Sequence, residues 1–183
     1  MDSDNQLNKV EYTIGMRKVN LLGFLLIFPI LLLFLLPFSL IWSFESFGIV
    51  WTIIRYYGFF IILIGVVLHE FLHGFTWALY ATNGFKSIRF GVNWKRLTPY
   101  CHCKESLKAK HYAIGGLMPL IVMGIIPSLI ALAIGNGMLL IFGMIFTWTA
   151  GGDIISIWML RKIRRNTLVF DHPDKIGFYT IET

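Results

Sequence analysis

The 183-residue chain is strongly apolar: 56% of its residues are hydrophobic and only 14% are charged. Soluble domains carry about a quarter charged residues, so this composition excludes an ordinary soluble domain and leaves little sequence for an extramembrane one. The formal net charge is +6, and the positions of the basic residues have to explain it.

Four apolar runs predict four transmembrane helices, because each run is close to the ~20 residues that cross a ~30 Å hydrocarbon core. They lie at residues 19–42, 56–80, 112–134 and 138–160. The first run is too long for the apolar region of a signal peptide, and no small-residue cleavage site follows it, so we interpret it as a retained helix. We therefore expect residues 1–183 to form one polytopic, all-α membrane domain.

The polar connections complete this prediction. Residues 1–18 form an interfacial or disordered lead-in, 43–55 a short aromatic outer connection, and 161–183 a tail of mixed composition. Within the 81–111 loop, the segments 87–92 and 98–103 are extended in pattern and predict a small cytoplasmic β-hairpin between helices two and three. Pro99 makes the second strand an edge strand, since proline cannot donate to a central ladder.

The basic residues orient the chain. Three precede the first run, seven lie in the 81–111 loop and five follow the last run, whereas Arg55 alone falls on the other side. The positive-inside rule therefore predicts cytoplasmic N- and C-termini in a bacterial inner membrane. Topology and anionic lipid account for the net charge, so no nucleic-acid partner is expected. Cys101 and Cys103 lie on this reducing side, where a structural disulfide is not expected.

Only four acidic, basic or histidine residues lie inside the apolar runs: His69, Glu70, His73 and Asp153. Burying a charge at membrane depth costs several kcal/mol, so each is a candidate functional residue. The first three form an H-E-x-x-H motif, in which two histidines four apart share a helix face and can reach one metal ion. Glu70 flanks that face and can take a proton from water at the metal. Zinc suits two imidazoles and a carboxylate, with a fourth position left for water.

Asp153 is the third ligand that depth favours. His73 and Asp153 each lie seven residues before the cytoplasmic end of their run, which places both about 10 Å below the surface. A lone carboxylate at that depth needs a cation, although a hydrogen bond from a Ser or Trp of a neighbouring helix is an alternative. The other candidate ligands in the chain are Cys101, His102, Cys103, His111 and His172.

Several landmarks together resemble a bacterial family of zincin peptidases catalogued as membrane proteins. They are the motif at 69–73, Tyr100-Cys101-His102-Cys103-Lys104-Glu105 before a helix with Pro119, and Ala150-Gly151-Gly152-Asp153. This family is in turn similar to the site-2 proteases, which cut substrates within or beside the membrane. The resemblance implies a zinc metallopeptidase in which Asp153 takes the place of the later-helix aspartate. Asp153 follows Gly-Gly rather than Asp-Gly, however, and a PDZ-like domain does not fit in this chain.

Lesser features have ordinary interpretations. Adjacent strand residues point to opposite faces, so Cys101, His102 and Cys103 do not readily converge on a second metal. The hairpin edge can pair with an extended substrate. His111 and Tyr112 suit an interfacial anchor, with polarisation of a carbonyl as the alternative. The sequence Asp171-His172-Pro173 suits a turn, with a gating or inhibitory contact as the alternative.

The function predicted from the sequence is hydrolysis of peptide bonds in membrane-associated protein or peptide substrates. Zn²⁺ is held by His69, His73 and Asp153, and Glu70 accepts a proton and passes it to the leaving amine. A non-catalytic metal-binding or sensing membrane protein is the alternative, and Glu70 argues against it because a pure binding site has little use for that carboxylate. A helical subunit whose polar cluster serves assembly or proton movement is a second alternative.

Overall fold

The computed structural model describes residues 9–94, 98–173 and 175–181. Parts of the predicted lead-in, of the turn between the hairpin strands and of the tail lie outside the described residues. The described chain is mostly helical, with two small antiparallel sheets.

Three helices in the described ranges are long and apolar enough to cross a membrane: α1 (Met16–Ile41), α2 (Gly48–Ala78) and α3 (Ala109–Ile134). Short π-helical stretches interrupt α1 at Leu31–Leu35 and α3 at Leu120–Ile125. Each stretch ends two residues or fewer before a proline, Pro37 or Pro127. A proline cannot donate the helical hydrogen bond, and the wider turn accommodates it without breaking the helix.

The fourth apolar run is not one straight helix. It is divided into α4 (Gly137–Thr149) and α5 (Gly151–Lys162), which are bent by 44°. The chain therefore has three candidate membrane spans, or four if this bent pair is one span, and the expected count of four stays a prediction. Ala150 lies at the break, directly before Gly151 and Gly152.

The boundaries of the second helix differ from those expected. α2 begins at Gly48 and has 31 residues, so Arg55 lies within the helix and the prediction that it belongs to the outer connection is wrong. At 1.5 Å per residue, such a helix is about 46 Å long and exceeds the hydrocarbon core. Arg55, two turns from its start, can therefore lie at headgroup level.

The predicted hairpin is present as a two-stranded sheet. Strand β2 (Ile88–Asn93) pairs antiparallel with β3 (Thr98–Cys103), and Phe90 lies opposite Cys101. Its location on the cytoplasmic side of a bilayer stays a prediction. The hairpin packs against the end of α2, where the Phe90 ring lies close to Gly74.

Both polar ends of the chain join a second sheet that the sequence did not reveal. Strands β1 (Lys9–Ile14), β6 (Ile176–Ile181), β5 (Leu168–Asp171) and β4 (Leu107–Lys108) pair antiparallel in that order. The disordered alternative for the lead-in is therefore wrong for residues 9–14, and its interfacial position stays a prediction. Gly177 has a φ of +130°, and a Cβ there would lie 2.0 Å from the Tyr12 carbonyl oxygen, so only glycine fits where β6 meets β1.

A buried cluster joins this sheet to the ends of the helices and to the hairpin. Phe178 and Val169 are fully buried, and Tyr12 stacks on Phe178. The members come from both sheets and from α2, α3 and α5: Trp77, Ala78, Ile88, Cys103, Leu107, Ala109, Tyr112, Leu160, Val169 and Phe178. This packing fixes one end of the helical bundle, where the H-E-x-x-H motif lies.

Candidate metal centre

Helical spacing places His69 and His73 on one face of α2, and both imidazoles are buried. Asp153 comes from the first turn of α5, just after the bend at Ala150. The bend sets the direction of this turn, and the Asp153 side chain is 26% exposed. Among the described residues, His69, His73 and Asp153 are the group of potential ligands close enough to hold a metal ion. We call these three residues the convergent cluster.

The ligand atoms of the convergent cluster face one another. His69 Nε2 lies 3.1 Å from Asp153 Oδ2 and 3.2 Å from His73 Nε2, and His73 Nε2 lies 3.4 Å from Asp153 Oδ1. Zinc bonds to nitrogen and oxygen are about 2.0–2.2 Å long, so two ligands of a tetrahedral ion are about 3.3–3.5 Å apart. The three observed separations are close to that edge length.

The tautomer of His73 suits metal binding. His73 Nδ1 lies 2.9 Å from the Gly115 carbonyl oxygen, and because a carbonyl only accepts, Nδ1 carries the hydrogen. In the neutral ring the lone pair is then on Nε2, which faces the cluster. An outer hydrogen bond of this kind is typical of histidine ligands and fixes the orientation of the ring.

Gly115 makes that contact possible. A Cβ at this position would lie 2.1 Å from Cδ1 of Trp77, so a larger residue would push α3 away from α2. Trp77 also stacks on the His73 ring, with centroids 5.3 Å apart. The close approach of the two helices therefore sets the position of His73.

His69 differs, because its Nδ1 atom is buried and has no hydrogen-bond partner among the described residues. An unsatisfied buried polar group costs about 1–3 kcal/mol, and a cation bound at Nε2 would not remove this cost, because Nδ1 would then carry the hydrogen. The observation that fits a bound cation is the convergence of two imidazoles and a carboxylate on one point within an apolar bundle.

Glu70 lies beside the convergent cluster. It is half-buried, and its carboxylate lies near the Cys101 amide of β3. Glu70 and the convergent cluster line a cavity of about 660 Å³, together with residues of β3 and of the turn between β5 and β6. A carboxylate that is close to the cluster and shares its cavity is placed to exchange protons with a water or substrate there.

The other candidate ligands lie elsewhere in the described chain. His102 Nδ1 lies 2.9 Å from Asp171 Oδ2. The His111 ring stacks on Tyr80 with centroids 4.2 Å apart, and His172 Nδ1 accepts from the Lys175 amide. Burial and the charges of Glu70 and Asp171 raise the pKa of the Cys101 thiol well above its ordinary value, and burial raises the pKa of Cys103 to about 11. A second metal group does not form from these side chains among the described residues.

Asp171 is a site residue that sequence reasoning underrated. Its carboxylate accepts hydrogen bonds from His102 Nδ1 at 2.9 Å, the Cys103 amide at 3.3 Å and the Tyr112 hydroxyl at 2.8 Å. We call Asp171, His102, Cys103 and Tyr112 the Asp171 cluster. An aspartate before His-Pro reads as a turn residue in any sequence, and no local pattern reveals partners about 60 to 70 positions away.

Candidate membrane helices with two histidines and a carboxylate aimed at one point define a class, the metal-binding membrane proteins. The family is narrower: residues 61–168 match the family model described as "Putative zincin peptidase", and the chain belongs to that family. Family membership makes the chain a zinc metallopeptidase at the level of class. No curated protein and no solved structure matches the chain significantly.

Proposed function

We propose that this protein is a membrane-embedded zinc metallopeptidase that hydrolyses peptide bonds of membrane-associated substrates near the cytoplasmic face. One observation carries the proposal: three metal-ligand atoms converge beside a carboxylate outside the ligand set, Glu70, in a cavity lined by a strand edge. The topology belongs to the proposal too, with four spans, counting the bent α4–α5 pair as one, and both termini cytoplasmic in a bacterial inner membrane.

In this mechanism His69, His73 and Asp153 hold the ion. Zinc bound there would lower the pKa of a coordinated water and polarise the substrate carbonyl. Gly115 orients His73 through its Nδ1 hydrogen. Glu70 accepts the proton from the attacking water and delivers it to the nitrogen of the leaving amine. Glu70 is half-buried, so its charge is screened less at the reacting atoms than that of a surface carboxylate.

Strand β3 is the proposed support for the substrate. Lys104 donates its amide to Ser87, so even-numbered amides of β3 face β2 and odd-numbered ones face away. The outward Cys101 amide contacts Glu70, and the outward position before it is Pro99, which has no amide. Because the outward amides are engaged or absent, an extended substrate added to this edge would donate its own amides to the outward carbonyls of β3, beside Glu70 and the convergent cluster.

The alternative is a metal-binding or sensing protein without hydrolysis. Glu70 favours the enzyme, because a binding site needs no carboxylate beside its ligands. Comparison of membrane proteomes from cells carrying the wild type and Glu70→Gln tests this, together with zinc content of the purified proteins. We expect Glu70→Gln to keep one zinc per chain and to lose about 10²–10⁴-fold in cleavage rate. Glu45→Gln is the matched control, because Glu45 is exposed and lies in the short turn that precedes α2.

The outcomes separate the two functions. Full cleavage by Glu70→Gln would contradict the mechanism. Stoichiometric zinc in the wild type without any substrate that accumulates in the Glu70→Gln cells would favour the sensor. Absence of zinc from both would exclude a metal function for the convergent cluster.

A further inference from the structure

We propose that Asp171 is a positioning residue for the metal centre, acting through Tyr112 on the histidines of α2. The inference rests on the proposed function, because it concerns the metal-bound site. Asp171 is the last residue of β5, in the sheet built from the two chain ends, and it lies beyond the family match, which ends at residue 168.

The first step joins Asp171 to α3. Its side chain is only 12% exposed, and its Oδ1 atom accepts the hydroxyl hydrogen of Tyr112 at 2.8 Å. Its Oδ2 atom accepts from His102 and from the Cys103 amide. One carboxylate thus fixes the start of α3 and the open edge of β3 relative to each other.

The second step joins Tyr112 to His73. The Tyr112 carbonyl accepts the indole hydrogen of Trp77 at 3.1 Å, and the two rings stack with centroids 5.2 Å apart. Trp77 also stacks on the His73 ring. One turn along the same helix, Gly115 holds His73 Nδ1. A displacement of the first turn of α3 would therefore change both contacts that orient His73.

The third step reaches the helix that carries Asp153. Tyr112 lines the same cavity as Asp153 and as Ser156, which lies three residues after Asp153 on α5. Residues three apart lie on one face of a helix, so Tyr112 and the convergent cluster meet the same face of α5. The phenol that Asp171 holds is thus packed against both ligand-bearing helices.

Cobalt binding to the full chain in detergent tests the inference, because visible Co²⁺ absorption reports ligand geometry without any substrate. Loss of an outer-shell partner typically lowers metal affinity by about 10–100-fold. We expect a loss of this size for Asp171→Ala with an altered absorption band, and a smaller one for Asp171→Asn, whose amide oxygen can still accept. Tyr112→Phe, which removes one hydroxyl and keeps the ring stack, should change the band in the same direction.

The control is Glu11→Gln in the same sheet, which removes the carboxylate that pairs with Lys175 and His172, leaves the Asp171 hydrogen bonds in place, and should leave cobalt binding unchanged. Wild-type affinity and band shape in Asp171→Ala would overturn the inference, whatever its thermal stability. If Asp171→Ala does not fold, an unchanged Tyr112→Phe overturns it instead. A wild type that binds no cobalt would refute the proposed function and this inference together. A wild type that binds cobalt, with an Asp171→Ala variant that binds it equally well, would refute the inference alone.

Discussion

Two polar clusters in this fold line the same cavity and are built in opposite ways. In the convergent cluster, three potential ligand atoms face one another at 3.1–3.4 Å and a buried imidazole nitrogen has no partner in the described chain. In the Asp171 cluster, one carboxylate accepts three hydrogen bonds from donors of two other elements. The first arrangement presents its ligand atoms to one point and fits a cation there, whereas the second is a set of directed hydrogen bonds to one carboxylate.

The comparison teaches that burial of polar groups does not by itself mark a site of chemistry. Buried charges are stable when they are paired and hydrogen-bonded, which describes Asp171. Groups whose lone pairs face one another are stable only when a metal ion or a proton lies between them. The distinguishing observation is therefore the direction of lone pairs, which for His73 is fixed by Gly115.

The largest effect is expected from a substitution that removes one ligand of the convergent cluster. His73→Ala removes one of three ligands, so zinc affinity should fall by more than the 10–100-fold typical of outer-shell partners. Metal analysis of the purified protein after dialysis measures it. Equal zinc content in His73→Ala and the wild type would show that the three residues do not form the metal site.

The second largest effect is expected in the reactivity of the Cys103 thiol, which belongs to the Asp171 cluster. Burial raises the pKa of Cys103 to about 11, and only the thiolate reacts with alkylating reagents. Relative to an ordinary thiol with a pKa near 9, the thiolate fraction at pH 7.5 should be about 100-fold smaller. Maleimide labelling followed by peptide mass spectrometry measures the rate, with the denatured protein as reference. Labelling of the folded protein at the denatured rate would contradict the enclosed cluster.

Gly115→Ala should have a smaller effect on the same helix pair. The added methyl would lie 2.1 Å from Trp77, and such overpacking costs about 1–3 kcal/mol of unfolding free energy. We also expect weaker zinc binding, because the Gly115 carbonyl would move away from His73. Thermal unfolding in detergent with and without zinc measures both effects.

Gly23→Ala is the matched control, since it is helical and a Cβ there meets nothing within 4 Å. An equal loss in both variants would show that the close approach of α2 and α3 is not what Gly115 provides.

The smallest effect concerns Glu105, a half-buried residue outside both clusters. Hydrogen bonds from the Ser87 and Asn83 side chains lower its pKa in the folded protein. A lowered folded pKa gives stabilisation that is present above the unfolded carboxyl pKa of about 4.3 and is lost as pH falls through the folded value. Glu105→Gln should therefore lower the melting temperature slightly at pH 7 and progressively less below pH 4. A difference that grows on acidification would have the wrong sign.

Much of the architecture follows from local pattern. The long apolar runs predict membrane-type helices, and the alternating segments around Pro99 predict the β2–β3 hairpin. The helix ends were less predictable, as Arg55 shows, because an apolar count does not register a helix that continues into the headgroup region. The terminal sheet was missed because its strands are short and each pairs with a segment distant in sequence, such as Lys9 with Ile181.

The sequence by itself determined that the chain is an apolar, helical protein with an H-E-x-x-H face, because residue spacing along one helix dictates which side chains share that face. Only the tertiary structure decided that Asp153 reaches the two histidines, that Gly115 orients His73, and that Asp171 connects the terminal sheet to the bundle. The physical reason is that these contacts depend on a bend at Ala150, a close helix approach and a long-range strand pairing. Periodicity specifies which face a residue occupies, whereas packing between distant segments specifies what that face meets.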